Sequence, residues 1–216
     1  MESVLESMPE YLAGFRMTLY LTVVSGVLSL LLGTFLAACR VSPLKSLRTV
    51  ATVIVEVGRN TPLTLVFVFF VFILPALGII LPLGTIPAII ALTVYTSAFV
   101  CEAVRSGINS VGIGQAEAAR AIGLGSVNTL WLIVLPQALR SVVPPLISVL
   151  IALAKNTSVA SGFAVVELTA TGRGLARDYP ADVIWMLLGV AACYLLITVP
   201  AGAMAGWVER KVVFSR

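Results

Sequence analysis

Histidine is absent from this chain. With it go the side chain that most readily moves protons near neutral pH and the commonest metal ligand, along with any Ser/His/Asp or Cys/His catalytic set. Charge is scarce too: Asp, Glu, Lys and Arg make up 11% of the residues against 59% hydrophobic ones, and the mean hydropathy is +1.07. A soluble domain needs more charge than that to cover its surface. The chain therefore reads as an integral membrane protein, with the lipid bilayer as its first partner. Once the apolar segments are placed, no length is left for a separate soluble domain.

Other absences narrow the function further. The three cysteines, Cys39, Cys101 and Cys193, sit in or beside apolar segments without disulfide or zinc spacing, so they read as small buried hydrophobes and no metal site is expected. No Gly-x-x-x-x-Gly-Lys-Ser/Thr loop occurs, and Gly112-x-Gly114 and Gly123-x-Gly125 both lack the third glycine of a dinucleotide loop. No cofactor and no catalytic residue is expected in this chain, which is not read as an enzyme. If ATP drives its function, ATP and magnesium belong to a separate subunit. The segment Met1–Glu10 carries three glutamates and no basic residue, which does not fit a cleavable signal peptide. The net charge is +4, but the basic residues are scattered and flank apolar runs. That pattern serves membrane orientation rather than nucleic acid.

A crossing helix needs about 20 mostly apolar residues. Five segments qualify: about 17–39, 52–74, 86–104, 139–166 and 183–208. The second and third are separated by Pro75, Gly78, Pro82, Gly84 and Pro87, which break an uncharged run too long for one crossing. The expected fold is all-α, a single polytopic domain over residues 1–216. Five spans put the termini on opposite sides. Arg40, Lys45, Arg48, Arg105, Arg120, Arg140, Arg210, Lys211 and Arg216 then fall on one side, with Arg16, Arg173 and Arg177 on the other. The basic bias makes the N-terminus external and the C-terminus cytoplasmic. Trp131, Trp185 and Trp207 lie near span ends, where amphipathic rings anchor at the interface.

One insert stands out from the apolar background, residues 112–136, with a loop at about 112–126 on the cytoplasmic side. Ala116, Ala118, Ala119 and Ala121 leave a helix there thin enough for close packing. Gly123 can supply a left-handed stop, and Pro136 suits the first turn of the helix that follows. Charges inside spans are costly and mark function by default. Lys155 lies deep in the fourth span beside Asn156, Thr157 and Ser158. It can meet a substrate carboxylate, pair with Glu102, or snorkel to an interface. Glu102 and Arg105 stand three apart on one helix face and can pair with each other. Glu56 and Arg59 lie nearer a span end and suit interface anchoring.

The order Glu117-Ala118-Ala119, Gly123, Ile133-Val134-Leu135-Pro136 resembles the "EAA" loop of ABC-importer permeases. Arg59-Asn60-Thr61-Pro62-Leu63 is similar to the Arg-Gly-Thr-Pro-Leu segment of permeases for polar amino acids. Tyr95 through Ser110, Gly114 through Ala119, Leu135 through Arg140, and Lys155-Asn156-Thr157-Ser158 extend the likeness to the histidine/glutamate/glutamine type. The resemblance implies an ATPase-coupling helix carrying Gly114, Glu117, Ala118, Ala119 and Gly123. It also implies a substrate path drawing on Lys155, Asn156, Thr157, Ser158, Glu102 and Arg59. The implied partners are a cytoplasmic ABC ATPase dimer, a second permease subunit, identical or homologous, and an extracytoplasmic solute-binding protein docking near Glu167–Asp182. The implied location is a bacterial inner membrane. Asn60 stands where glycine is usual and Asn156 where aspartate is usual. The lost negative charge beside Lys155 favours an acidic amino acid, glutamate first, then glutamine-like ones, with basic ones last. Two other classes remain open: a self-sufficient secondary carrier, although no internal repeat is found, and a membrane anchor without transport activity.

Overall fold

In a bilayer every backbone polar group must find its partner inside the chain, and helix achieves this within one segment. All regular structure among the described residues is helical. The computed structural model describes residues 2–213; Arg216, counted in the basic tail, lies outside them. After a single turn at Glu2–Glu6, the helices are α1 (Met8–Val41), α2 (Lys45–Asn60), α3 (Leu63–Ala76), α4 (Thr85–Asn109), α5 (Ile113–Ala121), α6 (Val127–Gly162), α7 (Leu168–Asp178) and α8 (Val183–Val213). Four of them, α1, α4, α6 and α8, are each long and apolar enough to cross a membrane, and the expected five are reached by counting α2 and α3 together.

That pair departs from a straight span over 52–74, because α2 and α3 meet at a bend of 107°. The break has a local cause. Thr61 takes an extended conformation (φ −90°, ψ 130°), as a residue before proline prefers, and Pro62 has no N–H to continue the ladder. The fourth span also differs from the expected 139–166. Its helix begins near Val127 and tightens into a 3₁₀ turn over Thr157–Gly162. Pro136 therefore lies inside α6, not in its first turn. A π-helical turn at Leu130–Val134 precedes it, and an equivalent turn at Phe69–Ile73 precedes Pro75 in α3. Each wide turn sits where a proline would otherwise clash with the carbonyl one turn earlier and lacks a donor for it.

Three apolar clusters hold the bundle together. Leu21, Leu63, Phe67, Leu92 and Leu153 join α1, α3, α4 and α6 in the middle. Leu36, Ala37, Ala51, Val55, Ala98 and Cys101 join α1, α2 and α4 at the Val41 end. Tyr11, Leu168, Leu175 and Met186 join α1, α7 and α8 at the opposite end. There Tyr11 donates its hydroxyl to the Met186 carbonyl at 2.8 Å, and the Leu168 N–H donates to Thr18 Oγ1 at 3.2 Å. Leu28, Leu31 and Phe35 on α1 and Leu195, Leu196 and Val199 on α8 remain exposed, an apolar belt suited to lipid.

Candidate functional site

The first element is α5, at the Asn109 end of the bundle. Its stop is a Schellman closure: the Gly123 N–H donates to the Arg120 carbonyl at 3.0 Å and the Leu124 N–H to the Ala119 carbonyl at 3.1 Å. Gly123 makes this possible with φ +90°, a region that costs a side-chain-bearing residue. Ala119 is buried against the protein while Glu117 and Ala118 are exposed. A β-carbon on Gly114 or Gly123 would meet nothing within 4 Å. These glycines are therefore not held small by their own chain. Beside α5, Ala116, Arg120, Thr129, Leu130 and Val134 line a shallow groove of about 250 Å³. Ile113, Ile122, Val127 and Trp131 expose apolar surface around it, which is uncommon for surface without a partner. Ile113 and Ile122 belong to no motif; their signal in the sequence is two large apolar side chains flanking an otherwise small and polar helix.

The second element is a groove of about 400 Å³ between α4 and α6, lined by Tyr95, Thr96, Phe99, Ser148, Val149, Ala152 and Asn156. Thr96 is buried at the back of this lining, its hydroxyl without a partner among the described residues. Of the four residues read as a polar cluster in the fourth span, Asn156 lines this groove. Lys155 is exposed next to it and forms no ion pair among the described residues. Thr157 is buried and donates to the Ala154 carbonyl at 2.8 Å, and Ser158 donates to the Lys155 carbonyl at 2.7 Å. Both hydroxyl protons are thus spent on their own helix. Tyr95, Thr96, Phe99 and Ser148 were not among the sequence candidates. Ser148, Ala152 and Asn156 share one face of α6 at four-residue spacing, and Tyr95 and Phe99 do so on α4.

The third element gathers Glu102 and Arg59 elsewhere. Glu102 accepts from Arg105 at 2.9 Å, lies 3.6 Å from Arg59, and also accepts from Arg40. Arg40 in turn reaches Glu56 at 3.7 Å. Its charges are met by arginines, and Lys155 is not one of its partners. In the sequence Arg40 reads only as an orienting charge, because its pairing crosses from α1 to α4 and leaves no trace in linear spacing.

At the other end of the bundle, Glu167 is fully buried, not part of a charged surface loop. Its carboxylate caps α7, accepting from the Thr169 and Ala170 N–H groups at 3.0 and 2.9 Å and from the Tyr194 hydroxyl at 2.8 Å. Arg173, Arg177 and Asp178 do remain exposed there, Arg173 donating to the Ser161 carbonyl at 2.7 Å.

Comparison with known proteins is consistent across the whole chain. The family model described as "Binding-protein-dependent transport system inner membrane component" matches residues 29–214. The chain is 38% identical over 220 residues to the glutamate transport system permease protein GluC of Corynebacterium efficiens, covering 96% of each. It is 44% identical over 155 residues to the "Probable glutamine ABC transporter permease protein GlnP" of Bacillus subtilis, covering 72% of this chain and 71% of that one. Among solved structures, an amino acid ABC transporter crystallised with histidines superposes with a TM-score of 0.90 at 28% identity, over 97% of both chains.

Proposed function

Because the chain belongs to the family of binding-protein-dependent transport system inner membrane components, we propose that it forms the translocation path of an ATP-driven importer whose substrate is glutamate or a related acidic or amide amino acid. It is the non-catalytic membrane subunit of an ABC importer for polar amino acids. Its family works with a separate ATPase, a solute-binding protein and a second permease subunit in a bacterial inner membrane. In our reading ATP and magnesium are held by the ATPase pair, and the second permease faces this one across the α4–α6 groove.

The observation that carries the proposal is α5: a short helix with Glu117 and Ala118 outward, closed by a left-handed Gly123 and ringed by exposed Ile113 and Ile122. This is a docking surface for a grooved partner. The basic bias puts it in the cytoplasm with the C-terminus, and puts the N-terminus and α7 outside. The exposed charges of α7, Arg173, Arg177 and Asp178, then face the solute-binding protein. ATP-driven closure of the ATPases draws the α5 helices together, and α6, continuous from Val127 past Asn156, passes that movement to the groove. There Asn156 offers hydrogen bonds and Ser148 an acceptor oxygen, and the exposed Lys155, next to Asn156 in sequence, brings a positive charge. The glutamate assignment rests on that charge and on the names of relatives such as GluC.

The test is reconstitution of the permease with its ATPase and binding protein in proteoliposomes, measuring ATP hydrolysis as each amino acid is added. Stimulation by glutamate above arginine is expected. Uptake by the chain alone, driven by an ion gradient, would instead make it a secondary carrier.

A further inference from the structure

The 107° bend gives α2 a role distinct from spanning. If α3 stands along the membrane normal, α2 lies within about 17° of the membrane plane. Its sequence is built for that position. Leu47, Val50, Ile54 and Val57 are all exposed and recur at helical spacing on one face, with Val53 beside them. Lys45, Arg48, Thr52, Glu56 and Arg59 occupy the opposite face. Ala51 and Val55, on the flank between the two, are the residues buried against α1 and α4. One side of α2 thus grips the bundle, one faces the hydrocarbon, and one faces water.

The dimensions agree. Helix α3 rises only about 21 Å at 1.5 Å per residue, short of the ~30 Å hydrocarbon core. An amphipathic helix buried in the interface sinks about 5–10 Å below the headgroups, which closes most of that gap.

We propose that α2 is an interfacial helix that holds anionic lipid headgroups at the Val41 side of the membrane through the exposed Lys45 and Arg48. Charge selects this occupant. Lys45 and Arg48 make no ion pair among the described residues, whereas Arg40 and Arg59 are already engaged by Glu102. Polybasic positions next to a membrane draw acidic lipids. That this leaflet is the cytoplasmic one rests on the orientation proposed above; the contact itself does not.

The experiment places single nitroxide labels at Val50, Ile54, Thr49 and Thr52 in the full chain, with Cys39, Cys101 and Cys193 replaced. The permease is assembled with its partners in liposomes of phosphatidylglycerol and phosphatidylcholine. Val50 and Ile54 are expected to collide with oxygen, and Thr49 and Thr52 with an aqueous nickel chelate. Shielding of Val50 and Ile54 from both reagents would show a protein partner on the stripe and overturn the proposal. Oxygen contact at all four positions would make α2 a spanning segment and overturn it equally. In a second arm, Lys45→Gln with Arg48→Gln should lower retention of phosphatidylglycerol over phosphatidylcholine by about fivefold per charge, the equivalent of ~1 kcal/mol each. Unchanged retention would remove the headgroup contact. Neither arm involves ATP or an amino acid, so the transport assignment is tested apart from it.

Discussion

Gly107 lies against Val142: a β-carbon built on the glycine would stand 2.1 Å from Val142 Cγ2. Helices α4 and α6 therefore touch at a point where no side chain fits, just where α4 approaches its Asn109 end. Overpacking of this kind costs about 1–3 kcal/mol. Gly107→Val should lower the thermal unfolding midpoint of the detergent-solubilised chain, and adding Val142→Ala should restore part of it. An unshifted midpoint for the single variant would mean that the two helices separate without penalty.

Removing the carboxylate of Glu102 should be costly in a different way. Glu102→Gln leaves Arg40, whose side chain is only 10% exposed, beside Arg59 and Arg105 without their shared counter-charge. Breaking a buried pair costs about 3–5 kcal/mol, and the partial exposure of Arg59 and Arg105 lowers this to on the order of 2 kcal/mol. Combining it with Arg40→Met should recover stability, measured by the same melting assay. No recovery would argue that Glu102 acts through packing and not through charge.

Coupling should depend on the conformation of residue 123 as well as on its size. Gly123→Leu places a branched side chain at φ +90° and is expected to abolish ATPase co-purification and uptake while membrane insertion persists. Asn tolerates the left-handed region better, so Gly123→Asn should keep a measurable part of both. Reversal of charge in Glu117→Lys should also uncouple. Normal uptake by the Leu variant would remove α5 as the docking helix.

Topology can be checked at two exposed positions. In a background without the native cysteines, Gln115→Cys should react with an impermeant thiol reagent from the cytoplasmic side only, and Asp178→Cys from outside only. Reaction of both from one side would overturn the orientation.

Selectivity is expected to follow Lys155. Lys155→Gln should reduce glutamate uptake relative to arginine on the order of tenfold, since it removes the positive charge beside the Asn156 groove. Asn156→Asp should shift preference the same way. Glutamate uptake indifferent to both changes would place selectivity in the solute-binding protein.

Much of this was legible in the chain. Apolar runs located the four long helices, because hydropathy reports what lipid will accept, and Gly123 announced its stop because only one conformation makes use of it there. The direction of a helix is not written in its hydropathy, so the run over 52–74 read as one straight span although Thr61-Pro62 carried the signal for a break. Pro136 misled for the opposite reason: a π turn lets a helix run through a proline that would otherwise start one. The groove lining by Tyr95, Thr96 and Ser148, and the burial of Glu167, depend on which helices meet, and periodicity within one segment says nothing about that.

The anchoring of α8 is lopsided. Near its start, Tyr11 binds the Met186 carbonyl and Tyr194 binds the buried Glu167, whereas Val199, Met204 and Trp207 farther along lie open. Beyond Tyr194 the helix meets α6 through apolar side chains, Ile197, Ala201 and Met204 facing Ile147, Leu150 and Ile151 across a small cavity. Contacts of that kind carry no fixed direction, so this half of α8 can slide along α6 without breaking a hydrogen bond, while the Met186–Tyr194 stretch cannot.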